Sequence, residues 1–236
     1  MTSPAKAPLA IIQLGQPPAA IVARQGQQHN WFIRALALNA RDYRLIRPDL
    51  GDPLPEAGTV SGAILTGSWA MVTDRADWSE GAAAWVRTAF SQELPLFGVC
   101  YGHQLMAHAL GGEVGDNPRG WEGGRQGIDL LPDGLADPLL AGLPARFGAW
   151  LSHRQTVLCP PPQARVLATS RLDDCQILRY GPQAFSVQFH PEFTAAVMDA
   201  CLRASGRTAT PAGPGARPDN DAEWPLALLR RFYQQP

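Results

Sequence analysis

Cys100 closes an apolar run inside the stretch "LPLFGVCYGHQLMAHAL", residues 94–110, at the point where a helical pattern begins. Leu96, Phe97, Gly98 and Val99 read as a buried strand, and residues 102–110 as the helix that follows. In open parallel sheets ligands collect beyond the carboxyl ends of the strands. A thiol at this corner therefore stands on the edge where chemistry is done. Gly98 and Gly102 flank it and permit a sharp strand-to-helix elbow. A helix N-terminus favours a thiolate, and its free N–H groups can receive an oxyanion. Taken alone, a free cysteine is more often a small buried hydrophobe. The nucleophile reading needs a base.

His190 supplies a candidate. It ends the apolar stretch "AFSVQF", a second strand end, and is followed by Pro191 and Glu192. Pro191 fixes its own φ and holds His190 extended, so Glu192 can turn back toward the imidazole. Thiol, imidazole and carboxylate together follow the logic of an activated nucleophile whose base is oriented by a third group. The plainer alternative for His190-Pro191-Glu192 is a solvated strand–helix junction, with Pro191 at the first helical position and Glu192 on the helix dipole. His103 and His108 are five apart and do not share a helix face, and no Cys/His cluster has zinc spacing, so no metal is expected. The remaining cysteines, Cys159, Cys175 and Cys201, read as packing residues.

The elements that must carry these groups alternate. Strands are expected at 8–14, 43–46, 60–65 and 96–99, with helices at 31–39, at 79–90 (Ser79 as N-cap) and at 102–110. This order predicts an α/β fold: a three-layer, open, mostly parallel sheet with helices on both faces. Beyond Gly112, short strands at 126–131, 145–151, 165–170, 176–180 and 184–189 predict a small antiparallel extension. Helices are expected at 191–203 and 223–233. The Gly/Pro-rich stretch 205–222 between them reads as a mobile surface loop. The whole of 1–236 is read as one domain.

With 45% hydrophobic and 17% charged residues, the chain can bury a large core. Its net charge of −1, with lysines and arginines scattered along the chain, argues against a nucleic-acid partner. The first apolar run is too short for a signal segment and none is long enough to span a membrane, so a cytoplasmic, soluble protein is expected.

The motifs "GVCYGHQ" and, much later, "QFHPEF" resemble the triad-type, class I glutamine amidotransferases, and within them the stand-alone glutaminase domains like those of GMP synthetases. The elbow of that family reads G-x-C-x-G-x-Q, matched by Gly98, Cys100, Gly102 and Gln104. "ILTGS" resembles the family's oxyanion loop and "WLSHRQTV" its glutamine-contacting segment. The resemblance covers roughly residues 8–203 and implies a flavodoxin-like fold and hydrolysis of the glutamine side-chain amide through a thioester, with no cofactor. It implies Cys100 as nucleophile, His190 as base, Glu192 as its orienter, and the N–H groups of Gly67 and Tyr101 as oxyanion donors. Gln104, Ser152, His153, Arg154 and Gln155 would bind substrate.

Arg154 and Gln155 depart from the family's usual Gly and Asp, which puts the shape of that pocket in question. Trp121 and Glu122, in the loop 117–125, could border it too, though a polar strand edge is the plainer reading. With no synthetase segment or P-loop in the sequence, released ammonia would need an acceptor-activating partner chain. Two alternatives share these residues: a γ-glutamyl hydrolase acting on a peptide or small molecule, and a catalytically silent scaffold.

Overall fold

A computed structural model describes residues 7–211 and 223–234. Eleven strands are seen among them: β1 (Leu9–Ile12), β2 (Tyr43–Ile46), β3 (Gly62–Leu65), β4 (Leu96–Val99), β5 (Glu113–Asp116), β6 (Glu122–Leu130), β7 (Arg146–His153), β8 (Gln155–Cys159), β9 (Arg165–Thr169), β10 (Ile177–Arg179) and β11 (Ala184–Val187). The helices are α1 (Ala19–Gln25), α2 (Gln28–Leu36), α3 (Asp77–Ser91), α4 (Tyr101–Ala109), α5 (Pro132–Leu135), α6 (Ala195–Ser205) and α7 (Glu223–Gln234).

Nine strands form one sheet in the order β2-β1-β3-β4-β11-β10-β9-β6-β7. From β2 to β11 every neighbour is parallel. From β11 to β7 every neighbour is antiparallel. The antiparallel extension is thus part of the main sheet, while β5 and β8 form a separate ribbon. Strand side chains alternate between faces. Leu9 and Ile11 pack with Phe32 and Leu36 of α2 and with Leu228 and Phe232 of α7. Ala10 and Ile12 pack with Ala82 and Val86 of α3 and with Leu105 and Met106 of α4. Both faces of the parallel half are covered, which is why its strands read as continuous apolar runs. Among the described residues, no helix is long and apolar enough to cross a membrane.

Two expectations are corrected. Ser79 does not cap α3: the helix begins at Asp77 after Ala76, and the Ser79 hydroxyl is buried against the Tyr101 hydroxyl at 2.7 Å. The last long helix before the Gly/Pro-rich stretch begins at Ala195, with the Thr194 side chain accepting from the Val197 N–H. Pro191 and Glu192 therefore precede α6 instead of opening it. Within the stretch 205–222, Thr210 N–H donates to Gly123 O at 2.9 Å and Gly123 N–H donates to Thr210 Oγ1 at 2.9 Å. Residues 212–222 lie outside the described ones. Four further elements, α1, β5, α5 and β8, carry no periodic pattern strong enough to announce them in the sequence.

The fold brings α4 very close to β3. The Gly102 N–H donates to Thr66 O at 3.0 Å, and a Cβ on Gly102 would stand 2.3 Å from Leu65 O. That backbone cannot yield without moving a central strand. Gly102→Ala is expected to destabilise the protein by about 1–3 kcal/mol, as overpacking does. The check is the urea midpoint; an unchanged midpoint would show that α4 can lift off β3 freely.

Candidate active site

Cys100 occupies the turn between β4 and α4 with φ 51° and ψ −101°. A non-glycine residue held there costs on the order of 1–3 kcal/mol and persists only when its surroundings enforce it. They do so here through backbone bonds on either side: Cys100 N–H to Val187 O at 2.9 Å, and Gly102 N–H to Thr66 O. The thiol is buried at 5% exposure, and its sulfur lies 3.9 Å from Ser152 O. Tyr101 is the first residue of α4, so its N–H has no intrahelical acceptor. Its side chain turns away onto Trp78 and Ser79, and burial pushes the phenol up to about 12.

The parallel pairing of β4 with β11 sets Val99 beside Val187. The chain then runs through Gln188 and Phe189 to His190, whose N–H donates to Trp150 O at 2.8 Å. His190 Nδ1 is 2.8 Å from Glu192 Oε1. A carboxylate only accepts, so Nδ1 carries the hydrogen. The opposite ring nitrogen is left for Cys100. Phe193 stacks on the imidazole with centroids 3.9 Å apart. Burial works against the imidazolium, but the Glu192 carboxylate and the Cys100 sulfur outweigh it and raise the His190 pKa to about 10. The imidazolium form is therefore available at neutral pH, ready to give up a proton.

Gly67 joins this group by close approach. A Cβ there would lie 2.9 Å from His190 Cε1 and 3.5 Å from Cys100 Cβ. Its backbone is held by Gln28, a residue with no signal of its own in the sequence. With its amide oriented to satisfy both partners, Gln28 donates to Gly67 O at 3.0 Å and accepts from Gly67 N–H at 3.3 Å. The Thr66 hydroxyl also donates to Gly67 O, at 2.9 Å.

The remaining expected residues divide. Gln104 is buried, and its Nε2 donates to Gln155 O at 2.7 Å and to Gln188 Oε1 at 2.9 Å. Ser152, His153 and Arg154 line a cleft of about 180 Å³ that also exposes His190. The Arg154 guanidinium forms a forked pair with Asp116 outside the cleft, Nε donating to Oδ1 at 3.3 Å and Nη2 to Oδ2 at 3.1 Å. Gln155 turns away from the cleft: its Nε2 donates to Thr73 Oγ1 at 2.7 Å and to Asp116 Oδ1 at 3.0 Å. Trp121 lines the cleft, whereas Glu122 is wholly buried and accepts from the Ser170 hydroxyl at 2.8 Å.

His153 forms a second buried charge centre. Its Nδ1 lies 2.9 Å from Gln155 O and its Nε2 3.2 Å from Glu122 Oε2. Both partners are acceptors, so both nitrogens carry hydrogen and the ring is an imidazolium. Burial opposes this charge, but Glu122 and Asp173 together raise its pKa. Asp173 is itself shifted upward, chiefly by burial. Among the described residues, no cluster of three His, Cys, Asp or Glu side chains could hold a metal ion.

A thiol on a strained elbow beside an imidazole oriented by a carboxylate defines a candidate site for acyl transfer. Comparison with known proteins gives the class. The family model described as "Glutamine amidotransferase class-I" matches residues 27–205, and the chain belongs to that family. It is 33% identical over 174 residues to a protein of Ignicoccus hospitalis named as one subunit of a glutamine-hydrolyzing GMP synthase, spanning 73% of this chain and 87% of that one. It is also 33% identical over 185 residues to the glutamine-hydrolyzing GMP synthase of Aeropyrum pernix, covering 77% of this chain but only 32% of that one. A solved glutamine amido transferase from Methylobacillus flagellatus superposes with a TM-score of 0.75 at 25% identity, over 97% of this chain and 94% of that one.

Removing the Glu192 charge is expected to take away the largest influence holding the His190 proton. In a histidine NMR titration the wild-type ring should stay protonated up to about pH 10. Glu192→Gln should lower that midpoint by at least one unit, since burial is then opposed by the Cys100 sulfur without the carboxylate. An unmoved midpoint would show that Glu192 does not set the base.

Proposed function

We propose that this protein hydrolyses the side-chain amide of glutamine and releases ammonia to an acceptor. The Cys100 sulfur attacks the amide carbon, and the carbonyl oxygen becomes an oxyanion received by the N–H groups of Gly67 and Tyr101. His190 delivers its proton to the departing nitrogen, the C–N bond breaks, and a γ-glutamyl thioester remains on Cys100. Water, deprotonated by His190, then attacks the thioester to give glutamate and the free thiol. Gln104 spends its N–H groups on the protein, leaving its Oε1 to accept from the substrate's ammonium. Backbone groups of Ser152 and His153 line the cleft where the glutamyl head would lie.

The observation that carries the reading is the 2.8 Å Glu192–His190 bond, set beside a cysteine at positive φ on the neighbouring strand end. A scaffold with no catalytic demand has no physical need for these three groups here. The Ignicoccus relative is named as one part of a glutamine-hydrolyzing synthase. Carried to this chain, that name supports a separate partner that activates the ammonia acceptor. Gly67 N–H faces a resident acceptor in Gln28, so ammonia release by this chain alone is expected to be slow.

A second reading, hydrolysis of a larger γ-glutamyl amide, has one observation in its favour. Trp69, Trp121 and Arg207 stand at the cleft, more wall than release of ammonia requires.

Purified protein incubated with glutamine is expected to release ammonia. Cys100→Ala should reduce the rate at least about 1,000-fold, the scale on which nucleophiles contribute. Gly67→Ala should reduce kcat about 100-fold, since it crowds His190 and disturbs an oxyanion donor. The wild-type rate should fall as the pH passes about 10, where His190 loses the proton it gives to the leaving nitrogen. Equal ammonia release from wild type and Cys100→Ala would overturn the nucleophile assignment. Faster cleavage of a γ-glutamyl peptide than of glutamine would favour the second reading.

A further inference from the structure

We infer that Arg207 is the carboxylate receptor of the cleft, pairing with the α-carboxylate of a γ-glutamyl substrate. The inference rests on the γ-glutamyl reading of the site and adds the residue that selects for a charged head group. A carboxylate entering a partly enclosed cleft loses hydration and needs a cation or several N–H donors in return. Four cationic side chains line this cleft: His153, Arg154, His190 and Arg207. Three already have carboxylates. His153 faces Glu122 at 3.2 Å, Arg154 faces Asp116 at 3.1 Å and His190 faces Glu192 at 2.8 Å. Arg207 has no carboxylate within ion-pair distance among the described residues.

Arg207 is also held in place before any substrate arrives. Its guanidinium carbon sits 5.2 Å from the ring centroid of Trp121, itself part of the cleft wall. Its backbone N–H donates to Leu202 O at 3.1 Å, directly after Gly206 ends α6 in the left-handed conformation. Three residues on, the chain is pinned to the start of β6: Thr210 exchanges bonds with Gly123, and Gln126 Nε2 donates to Thr210 O at 2.8 Å. Residues 206–211 thus form a strap along the cleft. This cation–π contact leaves the guanidinium N–H donors free for a forked carboxylate contact. Holding the side chain beforehand reduces the ordering cost of binding.

Cys100→Ala protein, which cannot turn over substrate, allows binding to be measured by calorimetry. Two ligands are compared: L-glutamine, and L-glutamine α-amide, which keeps the side chain and ammonium but has no carboxylate. Adding Arg207→Gln is expected to weaken glutamine binding about tenfold and leave α-amide binding within twofold; Arg207→Lys should recover part of the loss. In otherwise wild-type protein, Arg207→Gln should raise KM for glutamine with kcat within twofold. Equal weakening of both ligands would overturn the inference, because Arg207 would then shape the rim without reading the charge. Unchanged glutamine affinity, or no glutamine binding, would overturn it too. The ammonia assay on the wild type stands apart, so failure of the glutaminase reading and failure of the Arg207 assignment are separately visible.

Discussion

Everything at the candidate site depends on the parallel pairing of β4 with β11. These strands are far apart in sequence, yet their register sets Val99 beside Val187, and each chain leaves the sheet at the same edge. One exit is Cys100; the other leads to His190. The pairing also supplies the Val187 carbonyl that accepts from the Cys100 N–H and so holds the elbow at positive φ. Gly67 reaches the same edge from β3, the other neighbour of β4. Three adjacent strand ends thus bring the Cys100 thiol, the His190 imidazole and the Gly67 backbone to one edge, and the sheet does the positioning.

Electrostatics around this edge follows one rule: each buried charge has a partner on the spot. His190 sits with Glu192, and His153 with Glu122 and Asp173. Removing either carboxylate from its imidazole would leave a buried charge uncompensated, which costs far more than the pair itself contributes. The two centres differ in consequence. His190 has one nitrogen committed and the other turned to the thiol, as proton transfer demands. His153 has both nitrogens committed and serves to tie the end of β7 to β6. The cleft between these compensated charges keeps Arg207 as its one cation without a carboxylate among the described residues.

The sequence made Cys100, His190 and Glu192 visible because their chemistry is unusual at strand ends, and the parallel core visible because strands covered on both faces are apolar throughout. What it hid was tertiary. Ser79 carries the composition of a cap, but its hydroxyl is spent on Tyr101 across two helices. The start of β6 is masked by Gly123 and Gly124, so the strand reads four residues short at its N-terminal end. Arg154 has the look of a pocket charge, but Asp116 from the facing strand of the ribbon neutralises it. Gln28 lies in a run of polar residues with no local sign that one of them grips Gly67. Arg207 falls in a segment whose composition suggests only mobility; its placement depends on Trp121 and Thr210, which no local pattern connects to it.

The most direct test of the proposed mechanism is the covalent intermediate. Protein mixed with labelled L-glutamine, quenched in acid within the first turnover and digested, should yield a γ-glutamyl thioester on the peptide that contains Cys100. The adduct should build up further in His190→Gln protein when that protein can still acylate. Label on any other residue, or steady ammonia release from wild type with Cys100 unmodified at every quench time, would contradict the mechanism.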